Sequence, residues 1–65
     1  MYILSKVLNY LKSIKADHLD WYILSNHGNL VYVVRLEPGS YSIVGKLITQ
    51  KEASKLESIP EDKIR

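Results

Sequence analysis

Sixty-five residues make one domain with a marginal core, because a chain this short buries only about 60% of its unfolded surface. There is no cysteine, which excludes a disulfide framework, and a hydrophobic content of 46% excludes a disordered tail. Nine basic against seven acidic side chains give a net charge of +2, a thinner excess than the clusters of most nucleic-acid binders.

The spacing predicts an amphipathic helix over residues 2–15. Ile3, Leu4, Val7, Leu8, Leu11 and Ile14 recur at helical intervals. Ser5, Lys6, Asn9, Lys12 and Ser13 fall on the other side, and Lys12 and Lys15 suit the negative pole of the helix dipole. Residues 16–20 are a short polar connection.

Three strands are predicted next, over residues 19–25, 30–36 and 41–48, all rich in β-branched and aromatic side chains. Asn26-His27-Gly28-Asn29 and Glu37-Pro38-Gly39-Ser40 separate them. Both have turn chemistry, so the strands form an antiparallel meander. Turns centred on His27-Gly28 and Pro38-Gly39 set Tyr22 opposite Val33, Asp20 opposite Arg35 and Tyr32 opposite Gly45.

Alternation then defines two faces. One carries Leu19, Trp21, Ile23, Leu30, Tyr32, Val34, Leu36, Tyr41, Ile43 and Leu47, and the first helix is its cover. Gly45 opposite Tyr32 makes room for the ring. The other face carries Tyr22, Leu24, Val31, Val33, Val44 and Ile48, rimmed by Asp20, Arg35, Ser42 and Lys46. An apolar centre with a charged rim resembles an interface.

A short second helix is predicted over residues 49–58, opened by the capping box Thr49-Gln50-Lys51-Glu52 and stopped by Pro60. Residues 60–65 are a loose tail. The expected fold is therefore α+β, in the order helix, three strands, helix.

Chemistry for catalysis is thin. Asp17-His18-Leu19-Asp20 sets two carboxylates beside an imidazole, without third and fourth metal ligands. His27 sits in a turn with no orienting partner. The three glycines are isolated, so no phosphate loop exists. No enzyme activity, metal or cofactor is expected.

Two kinds of partner remain. A homodimer, or a different protein partner, would cover Tyr22, Leu24, Val31, Val33 and Val44; self-association could instead use the exposed edge of strand 19–25 or of strand 41–48. A monomer in which the second helix folds over this face is a further possibility, although Ala53 and Leu56 are few apolar side chains for a cover. Nucleic acid is the alternative, with Arg35, Lys46, Lys51 and Lys55 as candidate phosphate contacts. Asp20 is expected to pair with Arg35. No apolar run is long enough to span a membrane, and no cleavage signal is visible, so a cytoplasmic protein is expected.

Three resemblances bear on these expectations. The element order resembles the double-stranded-RNA-binding domain, although Thr49-Gln50-Lys51-Glu52-Ala53-Ser54 keeps one of the three lysines of that family's second-helix signature. Asn26-His27-Gly28-Asn29 also lacks its Gly-Pro-x-His loop. Trp21-Tyr22 opening a strand and Thr49–Ala53 opening a helix resemble the arm-binding domain of phage integrases, which reads DNA through its sheet. Over its whole length, from the run Tyr2–Lys15 into Trp21–Ile48, the chain resembles the small prophage-encoded YopT-type proteins of Bacillus. That likeness implies a homodimer.

Overall fold

The computed structural model describes residues 2–39 and 42–64, with side chains from residue 4 onward. Tyr41, placed above on the core face, and the side chain of Ile3 lie outside the described residues. The fold is α+β, as expected. Helix α1 (Tyr2–Ser13) leads into strands β1 (Tyr22–His27), β2 (Leu30–Leu36) and β3 (Ile43–Thr49). A single helical turn, α2 (Gln50–Ala53), a short strand β4 (Glu57–Ser58) and a 3-10 turn (Glu61–Lys63) complete the chain.

α1 is shorter than the apolar spacing suggests, and its end shows why. Lys15 has φ +56, a left-handed conformation. The Lys15 N–H donates to the Lys12 carbonyl at 3.1 Å and the Ala16 N–H to the Leu11 carbonyl at 3.0 Å. These two bonds make a Schellman cap, with Ala16 folded back beside Leu11.

The expected meander is part of a larger sheet. Strand order is β3-β2-β1-β4, and β4 runs parallel to β1, so the sheet is mixed and four-stranded. Residues 49–58 are therefore not one helix. The capping box forms, with the Glu52 N–H donating to Thr49 Oγ1 and the Thr49 N–H to Glu52 Oε1, each at 3.3 Å. The helix nevertheless stops after one turn. Tyr22 then lies beside Glu57, and the Ile59 N–H donates to the Ile23 carbonyl at 2.9 Å. Ile59 drives this docking, since it is buried against Val7, Leu11, Val34 and Leu36.

Next to their turns both hairpin registers differ by two residues from the centred turns, and beyond Leu24 the first differs by one, with Tyr22 opposite Val34. His27 pairs with Leu30 around Gly28-Asn29, with Gly28 at φ +60. Positive φ at the first loop position fits a type II′ turn, which matches the strand twist. On the other side of β2, Tyr32 pairs with Leu47 and Leu36 with Ile43. A shift of two preserves the faces of β2 and β3. In β1 it does not, because Ile23 pairs with Val33 while Ser25 pairs with Tyr32. Leu24 is the extra residue of a β-bulge, and the strand before it changes face. Tyr22 and Leu24 therefore join the α1 side, and Trp21 and Ile23 the opposite side. Leu19 lies outside the sheet and is 70% exposed.

Two apolar layers result. Val7 and Leu11 of α1 bury Val34 and Leu36 on one side of the sheet. On the other side Val31, Val33, Ile48 and Ala53 form a second buried cluster, flanked by Trp21, Ile23 and Leu56. Gln50 ties this cover to the first hairpin through bonds to Asn26 Oδ1 and the Gly28 carbonyl, both 3.2 Å.

Candidate interaction surfaces

The five residues expected to form one interface are divided by this fold. Tyr22 and Leu24 pack toward α1. Val31 and Val33 have no exposed surface, since the chain's own C-terminal segment covers them. Val44 is half-buried at the sheet margin. Ala53 and Leu56 alone would be a thin cover, but the bulge adds Trp21 and Ile23 to that layer. A bulge carries no glycine or proline mark here, so alternation alone could not reveal it. The Tyr22 phenol is pushed above its ordinary value of 10.0 by burial first, then by the Asp20 and Glu57 carboxylates and Tyr10.

Of the basic residues, the fold brings Arg35 and Lys46 together. The Arg35 guanidinium carbon lies 5.1 Å from the Trp21 ring centroid, and the Lys46 ammonium 4.4 Å from it. Each contact stabilises by roughly 0.5–1 kcal/mol where the ring is open to water. The expected Asp20–Arg35 pair is absent. Arg35 donates instead to the His18 carbonyl at 2.7 Å and the Leu36 carbonyl at 3.3 Å. The register explains it: Arg35 faces Val44 on one side, and β1 begins only at Tyr22, beyond Asp20. Among the described residues, no carboxylate forms an ion pair with Arg35 or Lys46. Lys51 and Lys55 are exposed on the C-terminal segment.

Groups with chemical reactivity lie at the surface. Asp17 Oδ1 sits 3.4 Å from His18 Nδ1, with both side chains more than half exposed, and it also accepts from the Leu19 N–H. Ser25 Oγ and His27 Nε2 are 3.2 Å apart, also exposed. Among the described residues, no three His, Asp or Glu side chains converge as metal ligands, and no polar side chain is buried. No helix among them is long and apolar enough to cross a membrane.

The surface that the fold leaves open is the outer edge of β3, the exposed edge of the third predicted strand and one of the alternatives for self-association. Among the described residues no other strand pairs with it, and its register against β2 runs unbroken from Ile43 to Thr49. Beside it on the α1 side, Leu47 is 54% exposed, and Leu30 and Leu4 are also exposed. Between α1 and the start of β3 lies a shallow hollow of about 230 Å³, lined by Leu4, Ser5, Leu8, Ser42 and Ile43.

Comparison with protein-family models, curated proteins and solved structures gives no match to this chain.

Proposed function

We propose that this chain is a small interaction protein that works as a homodimer and carries no catalytic chemistry of its own. The observation that carries this is a free seven-residue edge, β3, with the exposed Leu47 beside it. Unpaired edge backbone is a ready template for another strand. The chain is also small enough that a partner would add stability its own core lacks. The likeness to prophage-encoded YopT-type proteins of Bacillus points the same way, toward a homodimer. Sedimentation over a dilution series tests it. A species near twice 7.5 kDa that dissociates on dilution supports a dimer, and a single 7.5 kDa species throughout opposes it.

A second reading, a nucleic-acid-binding accessory protein, draws on the Arg35–Trp21–Lys46 cluster. Two cations on one indole with no carboxylate partner are suited to phosphate. Such binding would weaken steeply with salt and be lost in the double variant Arg35→Ala, Lys46→Ala. Fluorescence anisotropy with a labelled duplex at low salt checks it, and no binding there removes the idea.

A further inference from the structure

Resting on the homodimer proposed above, we infer that two copies join edge to edge through β3, with Gly45 at the two-fold axis and Leu47 of each copy seated in the hollow of the other. The two edges of the sheet differ in how they are guarded. β4 has two residues, and Pro60 follows close behind. β3 has seven residues, with no proline and no bulge. Its one charge, Lys46, turns its ammonium onto Trp21 rather than standing guard over the edge. Short strands, prolines, bulges and outward lysines are the usual devices against edge pairing, and β3 has none of them in force.

The occupant follows from symmetry. The backbone groups that point outward from β3 belong to alternate residues. An antiparallel copy of the same strand must therefore match residues of like parity, and the two α1 sides fall on one side of the joined sheet. Centring on Lys46 would oppose two ammonium groups, which is unfavourable. Centring on Gly45 opposes Ile43 with the partner's Leu47, and Val44 with the partner's Lys46. Only this register sets an exposed leucine beside Ile43, at the mouth of the hollow that Ile43 lines with Leu4 and Leu8. The two-fold repeats the contact, so each copy gives one knob and one hole. Gly45 suits the axis for a second reason. Tyr32 already occupies the space above it, with Cζ 2.6 Å and Cε1 3.0 Å from where a Cβ would stand.

The absence of native cysteine makes the register directly testable. Directly opposed residues have Cα atoms about 4.5–5.5 Å apart, within disulfide reach. Mild oxidation of the double variant Ile43→Cys, Leu47→Cys should give a covalent dimer, whereas Leu47→Cys or Lys46→Cys alone should not. Within one chain the two sites are four residues apart on a strand, too far to bridge. If the double variant sediments as a dimer but does not cross-link, or if Lys46→Cys links instead, this register is wrong while the homodimer stands. If the unmodified chain and the variant both sediment as monomers, the homodimer itself fails.

Discussion

Lys15 is where the helix ends against the preference of its own side chain. A left-handed φ of +56 costs a residue with a Cβ roughly 1 kcal/mol, which glycine avoids. Lys15→Gly should therefore raise stability by about 1 kcal/mol, a rise of about 4–8 °C in midpoint for a domain of this size. A thermal melt followed by circular dichroism checks it. An unchanged or lower midpoint would mean that the cap contributes nothing at this position. The same residue shows why the end of α1 was hard to read. Glycine would have announced the cap, whereas lysine near a helix C-terminus reads as dipole compensation and lets the pattern run on to residue 15. Gly28 and Gly45 were legible for the opposite reason. Each is a glycine whose absent Cβ has a visible use, one in a II′ turn and one beneath Tyr32.

At the scale of elements, β2 was read to the residue, because the run Val31, Tyr32, Val33 and Val34 lies between two turns. The capping box of α2 was legible too, since Thr49 and Glu52 sit at the required spacing. What escaped is the bulge at Leu24 and the strand β4. Leu24 lies in an unbroken apolar run, so periodicity gives no sign of an extra residue. Glu57 and Ser58 are exposed polar residues with no strand propensity of their own. They pair with β1 because Ile59, next in the chain, is buried beneath α1. Removing that anchor should release the whole segment. Ile59→Ala is expected to cost about 2–5 kcal/mol, a large part of the stability of so small a domain. Urea unfolding would measure it. A cost well under 1 kcal/mol would show that β4 and α2 hold their places without it.

At the scale of the whole molecule, the chain closes both sides of its own sheet, yet among the described residues one long edge stays open. The face first read as an interface is the second core layer, and Val31 and Val33 are spent there. An interface must therefore be sought where apolar surface and free backbone coincide, along β3 beside Leu47. The most direct test is the molar mass in solution by light scattering, measured side by side for the unmodified chain and for Leu47→Asp. Leu47 is exposed in the single chain, so the substitution should leave the circular dichroism spectrum unchanged. Pairing through β3 predicts a mass near twice 7.5 kDa for the unmodified chain and near 7.5 kDa for the variant. Equal masses for the two, whether both monomeric or both dimeric, would contradict it.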